Sequence, residues 1–151
     1  MNTRDIDLRR ADLDRDIALL TQIWFEASCK AHGFLGEARL REQRQLIAEK
    51  YLPMAETWVA CRNEQPLGFI SLLDCFVGGI FIAPAEQGQG LGRRLIDHAL
   101  AQKGELCLEV YARNIRALKF YTGLGFTEMS RRPVDDEGLP FETIRMRLVR
   151  D

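Results

Sequence analysis

Hydrophobic positions change their period several times along this chain, and each change marks an element. Ile6 and Leu8 alternate with charged residues, which predicts a short strand. Ile17, Leu20, Ile23, Trp24 and Ala27 then recur at helical spacing, behind Asp12 as a plausible N-cap. Gly33 and Gly36 break the pattern around Phe34-Leu35. A second helix is predicted over about 37–52, with Leu40, Ile47 and Tyr51 among its apolar positions and Pro53 ending it. The run from Thr57 to Cys61 reads as a strand, Asn63-Glu64-Gln65-Pro66 as a turn, and Leu67 to Leu73 as the next strand of a hairpin. Another strand is predicted from Phe76 to Ile82. The Gly78-Gly79 pair in its middle suggests a bulge or a close backbone approach. A helix over about 90–102, a strand over 106–110, a helix face at Ile115, Leu118, Tyr121 and Thr122, and two closing strands follow. The order is β-α-α-β-β-β-α-β-α-β-β. It predicts one α/β (α+β) domain over residues 1–151, with a mixed, mostly antiparallel sheet and helices on both faces.

Composition narrows the function classes. The chain has 151 residues, 46% hydrophobic and 28% charged, enough for one core without metals or disulfides. A formal net charge of −1 gives no basic excess for nucleic acid. The opening Met1-Asn2-Thr3-Arg4-Asp5 leads into no apolar signal region, and no apolar run approaches membrane-spanning length. The expectation is a cytosolic protein with no membrane partner. The four cysteines, Cys29, Cys61, Cys75 and Cys107, lack Cys-x-x-Cys spacing, and His32 and His98 stand in no metal-ligand register with them. Free thiols and no metal are expected.

The candidate chemistry begins at Gln87-Gly88-Gln89-Gly90-Leu91-Gly92-Arg93-Arg94, between the apolar Ile80-Phe81-Ile82 and the periodic Leu91, Leu95, Ile96, Ala99. Strand, glycine-rich turn and helix in that order gather free backbone N–H groups and the positive end of a helix dipole, a site for phosphates. Spacing excludes two common loops. Gly92 is followed by Arg93-Arg94 rather than the Lys-Ser or Lys-Thr of a P-loop. Counting from Gly88 or Gly90, the third glycine of a dinucleotide fingerprint would fall on Arg93 or Leu95.

The remaining Gln-x-x-Gly-x-Gly pattern resembles the pyrophosphate loop of the GNAT superfamily of acetyl-CoA-dependent N-acetyltransferases. A second run, Asn114-Ile115-Arg116-Ala117-Leu118-Lys119-Phe120-Tyr121-Thr122-Gly123-Leu124-Gly125-Phe126, is similar to the family's Asn-x-x-Ala-x-x-Phe-Tyr-x-x-x-Gly-Phe stretch and lies in the expected order. Looser likenesses, at Trp58-Val59-Ala60, Pro66-x-Gly68-Phe69, His32-x-Phe34-Leu35 and Asp135-Asp136-x-Gly138-x-Pro140, point to a bacterial YjaB-type subgroup. The resemblance implies acetyl-CoA as co-substrate and no metal. It implies donor contacts from the strand at Ile80, Phe81 and Ile82, with Ile80 and Ile82 favoured for main-chain contacts. The loop residues Gln87, Gly88, Gln89, Gly90, Leu91, Gly92 and Arg93 would hold the pyrophosphate. Asn114 would contact the pantetheine arm or cap its helix.

Acyl transfer from a thioester to an amine passes through a tetrahedral oxyanion, which backbone N–H donors on a bulged strand can stabilise. The leaving thiolate has a reference pKa of about 8.5, and a tyrosine near 10 can protonate it as it departs. Tyr121 is therefore the candidate general acid. A lysine-like amine with pKa about 10.4 is neutral in only about one molecule in 2,500 at pH 7, so such an acceptor needs a base or a water relay. Many relatives place a glutamate near the start of the strand before the loop; this chain has Gly78-Gly79 there. The candidates that remain are Glu109, His32 and Asp74, each with a structural alternative. His98 reads as structural, and Arg93 and Arg94 as phosphate contacts or solvated side chains. The acceptor is left open among a small amine, an amino acid and a protein amine. Asp135-Asp136-Glu137 can attract a cationic amine or form a charged hairpin tip. The chain is expected as a monomer or homodimer. Two rival functions are a CoA or acetyl-CoA sensor without turnover and a regulator that binds another nucleotide.

Overall fold

The computed structural model describes residues 5–150, so the first four positions of the N-terminal segment read above lie outside it. Strand β1 (Ile6–Arg10) leads into helix α1 (Leu13–Ala31). A short 3-10 turn (Gly33–Leu35) precedes α2 (Glu37–Leu46), a π turn (Ile47–Tyr51) and a last helical turn, α3 (Leu52–Met54). Strands β2 (Glu56–Arg62), β3 (Gln65–Leu73) and β4 (Phe76–Ile82) form a meander. Helix α4 (Leu91–Lys103), strand β5 (Glu105–Tyr111), helix α5 (Ile115–Gly123) and strands β6 (Thr127–Arg132) and β7 (Thr143–Val149) complete the chain. The seven strands make one sheet in the order β1-β2-β3-β4-β5-β7-β6, antiparallel throughout except between β4 and β5. The expected element order and sheet type are both present.

The sheet has a core on each face, as the alternation of its strands requires. Val59, Cys61 and Phe69 point toward α1, where they meet Leu20, Ile23 and Trp24, with Leu40 and Leu52 closing the layer. Ala60, Ile70, Leu106, Leu108, Ile144 and Met146 point the other way, against Leu91, Leu95, Ile96 and Ala99 of α4. A fully buried leucine or isoleucine contributes about 1.5–3 kcal/mol relative to exposure, so these two layers hold the helices against the sheet.

Three local readings change. Asp12 occupies the N-cap of α1 but makes no side-chain cap; its own N–H donates to Asp16 Oδ2 at 2.9 Å. Asp16 is the buried partner of Arg9, at 2.6 Å. The Arg9 guanidinium holds its carboxyl below the usual range. Pro53 does not end the second helical stretch, which runs on to Met54. A proline ring clashes with the carbonyl four residues back, and the π turn widens the helix just before it. Pro66 lies inside β3, where the β2–β3 register shifts next to Cys61. That irregularity tolerates a residue with no N–H to give.

Candidate functional site

The site begins where the sheet comes apart. Strand β4 pairs with β3 along its length, but the pairs Ser71–Gly79 and Leu72–Val77 leave Gly78 as an extra residue. This is the bulge that the glycine pair suggested. On its other edge β4 meets β5 at a single pair, Phe76 with Cys107. Beyond it the two strands diverge around a cleft of about 930 Å³. Antiparallel pairing alternates which residues spend their N–H and C=O on the neighbour. The Ala83 N–H donates to the Leu67 carbonyl, which fixes that alternation and ties Phe81 to Phe69 on β3. The main-chain groups of Ile80 and Ile82 therefore face the cleft.

The glycine loop closes one end. Gln87 Nε2 donates to the Ile82 carbonyl at 3.0 Å, and Lys30 Nζ donates to Gln87 Oε1 at 3.0 Å, so the loop is fastened to β4 and to α1. Gly88 and Gly90 both have φ of +83°, a left-handed conformation that costs other residues roughly 1–2 kcal/mol. Helix α4 starts on Gly90 with no side-chain cap and no acidic residue in its first turn. Its leading N–H groups and dipole are thus left for an anion, which is what a pyrophosphate fits. A Cβ on Gly92 would lie 3.0 Å from the Phe120 ring, so glycine lets α5 approach the loop.

At the opposite wall, Asn114 does two jobs at once. Its Oδ1 accepts from the Ala117 N–H at 3.1 Å and caps α5. That bond fixes the amide's orientation, so Nδ2 is the atom facing His32 Nε2 at 3.3 Å. An amide nitrogen only donates, so Nε2 accepts and the ring is neutral. Burial pushes the His32 pKa down in the same sense. Tyr121 packs its ring against Phe120 and Phe126 at 5.2 and 5.4 Å and lines the cleft. Burial raises its pKa, so the phenol keeps its proton at neutral pH, as a proton donor requires.

The far end of β5 forms a second lip. Glu109 lines the cleft and receives Arg132 at 2.9 Å; Arg132 also bridges to Asp136 at 2.7 Å. Asp135, only 4% exposed, is a hub. It accepts from the N–H groups of Glu137 and Leu139, from the Tyr111 hydroxyl and from Arg39 of α2. Its carboxyl is held low despite burial, while burial and Asp135 raise the Tyr111 phenol. Tyr111, Phe34 and Phe141 stack edge to face with His32 beside them, and ring centroids are 5.2 Å apart for Phe34–Tyr111 and His32–Tyr111. The Arg113 guanidinium lies over Phe34 at 5.7 Å and Phe141 at 5.5 Å.

Comparison with known proteins gives this geometry its family. An acetyltransferase (GNAT) domain model matches residues 53–128. The peptidyl-lysine N-acetyltransferase YjaB of Salmonella typhimurium is 33% identical over 93% of this chain and 97% of its own. The chain belongs to the GNAT acetyltransferase family. The YjaB of Escherichia coli is 35% identical over 86% of the chain and 88% of its own. Its apo-form solution structure superposes with a TM-score of 0.85 at 34% identity, covering 94% of this chain and 96% of that one. A Thermoplasma acidophilum N-acetyltransferase solved with coenzyme A shares the fold at TM-score 0.78 and 17% identity, over 96% and 99% of the two chains. The protein is thus a GNAT-type N-acetyltransferase, a family whose donor is acetyl-CoA and whose acceptor is an amine.

Most of the candidate site residues line one cleft: His32, Ile80, Phe81, Ile82, Gln87, Gly88, Gly90, Leu91, Gly92, Arg93, Glu109, Asn114 and Tyr121. Within it Leu91 is a core side chain and offers only its backbone. Gln89 lies outside, its Oε1 accepting from Arg62 at 3.4 Å. Arg94 also turns away, to the Ile6 carbonyl. His98 packs on the Trp58 ring at 4.3 Å, a structural place. Asp74 sits in the β3–β4 turn with φ of +54°, apart from the cleft lining. Phe120 of the Asn114–Phe126 run is 36% exposed and lines the cleft beside Gly92. Tyr111 and Arg113, with Lys30 and Arg116, are polar cleft residues that sequence reasoning missed. The signal was there in part: Glu105, Cys107, Glu109 and Tyr111 alternate along one face of β5. Among the described residues no helix is long and apolar enough to cross a membrane, and no three His, Cys, Asp or Glu side chains gather as a metal site.

Proposed function

We propose that the protein transfers the acetyl group of acetyl-CoA to a lysine side chain of a protein or peptide, by direct attack of the neutral amine on the thioester. One observation carries this reading. A single cleft brings together the unpaired main chain of β4, the uncapped N-terminus of α4, Asn114 and the protonated Tyr121. The loop amides at residues 88–92 bind the pyrophosphate, and several N–H bonds to charged oxygens at about 1.5–3 kcal/mol each outweigh the dipole term. Ile80 and Ile82 hold the pantetheine arm against β4 and direct N–H groups toward the developing oxyanion. Tyr121 gives its proton to the departing thiolate.

The lysine proton goes to His32 or Glu109, directly or through a water. His32 is neutral and can accept it once the 3.3 Å bond from Asn114 opens. Glu109 gives Oε2 to Arg132, and its Oε1 has no partner among the described residues. The lysine assignment rests on the names of the YjaB relatives, and free thiols fit a reducing cytosol. The test is a thiol-release assay with acetyl-CoA and lysine peptides, with calorimetry for donor binding. Tyr121→Phe is expected to lower kcat by roughly 10–1000-fold with little change in acetyl-CoA affinity. An unchanged kcat removes Tyr121 from the chemistry. Tight acetyl-CoA binding without amine-dependent release of CoA makes the protein a sensor instead.

A further inference from the structure

The acidic turn after β6 invites the idea that the acceptor mouth is a negative site for a cationic chain. Its carboxylates, however, are already engaged within the fold. Asp135 and Glu137 are taken by Arg39, at 3.2 and 2.8 Å. Glu109 and Asp136 are shared by Arg132. All four carboxylates at this lip are thus paired within the fold, two to each guanidinium. Among the described residues Arg113 has no such partner, and neither has Arg116 on α5. Arg113 lines the cleft and is exposed. What holds it is aromatic: Phe34 from the α1–α2 connection and Phe141 from the β6–β7 connection.

That setting defines what Arg113 offers. Contact with two aromatic rings immobilises a guanidinium without consuming its N–H donors, which lie in its own plane. A fixed fork of donors matches a carboxylate in bidentate geometry. Arg113 also lies one residue before Asn114 and two after Tyr111, at the end of β5 where the cleft opens between the two connections. We propose that Arg113 is a specificity residue for the acceptor, selecting a lysine that has a carboxylate close to it in the peptide. This rests on the lysine reading of the preceding subsection.

The experiment compares two peptides that differ only in the residues flanking one lysine, glutamate in one and glutamine in the other. The wild-type protein is expected to favour the glutamate peptide by about 10-fold in kcat/KM at low ionic strength, with the preference shrinking as salt screens the exposed arginine. Arg113→Gln is expected to bring the ratio to near one, and Arg113→Glu to invert it toward the glutamine peptide. A residue that only clips two loops together would lower both rates alike, so the ratio is the informative quantity. Equal wild-type rates on the two peptides overturn the proposal even if a variant fails to fold. So does a preference that survives in Arg113→Gln, or a raised KM for acetyl-CoA with the ratio intact, which would assign Arg113 to the donor phosphates. Acetylation of neither peptide overturns the lysine reading and this proposal with it; equal acetylation overturns this proposal alone.

Discussion

The two ends of the cleft are built from different materials. At the end we assign to the donor the exposed groups are main chain: the Ile80 and Ile82 amides and the turn through Gly88 and Gly90. At the end we assign to the acceptor they are side chains from three separate stretches, Arg39, Tyr111 and Asp135 among them. A main-chain site is defined by the absence of side chains, and it tolerates little being added. A side-chain site is defined by a web of partners, and it tolerates little being removed. The donor is the same for every turnover, which suits a rigid frame of N–H groups. An acceptor must be recognised by its own shape and charge, and a lip of side chains suits that.

Mutations of opposite kind should therefore hurt the two ends. Removing the hub, in Asp135→Ala, leaves Arg39, the Tyr111 hydroxyl and two backbone N–H groups without their acceptor. A loss of about 3–5 kcal/mol in unfolding free energy is expected, by analogy with breaking a buried ion pair. Denaturant melts would measure it, and a loss under about 1 kcal/mol would mean that the lip is not organised by this residue. Adding a side chain, in Gly90→Val, forces a branched residue into φ of +83° and covers the amides. The acetyl-CoA Kd is expected to rise about 100-fold, near 2.7 kcal/mol, by calorimetry. Unchanged binding would put the pyrophosphate elsewhere.

The smallest effect lies where the two ends touch, at His32. Its pKa in the fold is lowered from 6.5 by burial, so below that value the unfolded chain holds a proton that the folded one refuses. Stability should then fall as pH drops from about 6.5, by at most about 1.4 kcal/mol per pH unit, and stay flat in this respect above it. His32→Gln should remove that slope. If the slope persists in the variant, another group carries it.

The donor end was legible in the sequence because main-chain sites leave local marks. Glycines at fixed spacing, a strand before them and a helix after them are all contiguous, and Gly78-Gly79 marked the bulge that frees β4. Asn114 and Tyr121 lie in one short run for the same reason. The acceptor end was largely opaque. Asp135 read as a charged hairpin tip, because its partners Arg39 and Tyr111 are 96 and 24 residues away. Gln89 and Arg94 stand close to the phosphate site in sequence, yet the turn points Gln89 at Arg62 and the helix points Arg94 at β1. Pro53 has the look of a helix stop, and only the π turn shows how the chain passes it.

The single pair between Phe76 and Cys107 also bears on how the protein withstands heat. Four strands on one side and three on the other share a single ladder pair across that seam, with the Cys107 N–H on the Cys75 carbonyl and Arg145 over Phe76 beside it and the α4 layer bridging the two halves. A bound donor lying along β4 would splint the two halves. At a concentration 100 times its Kd it would add about 2.7 kcal/mol to unfolding. Resistance to heating and to proteases would then track the acetyl-CoA supply around the molecule, before any acceptor is engaged.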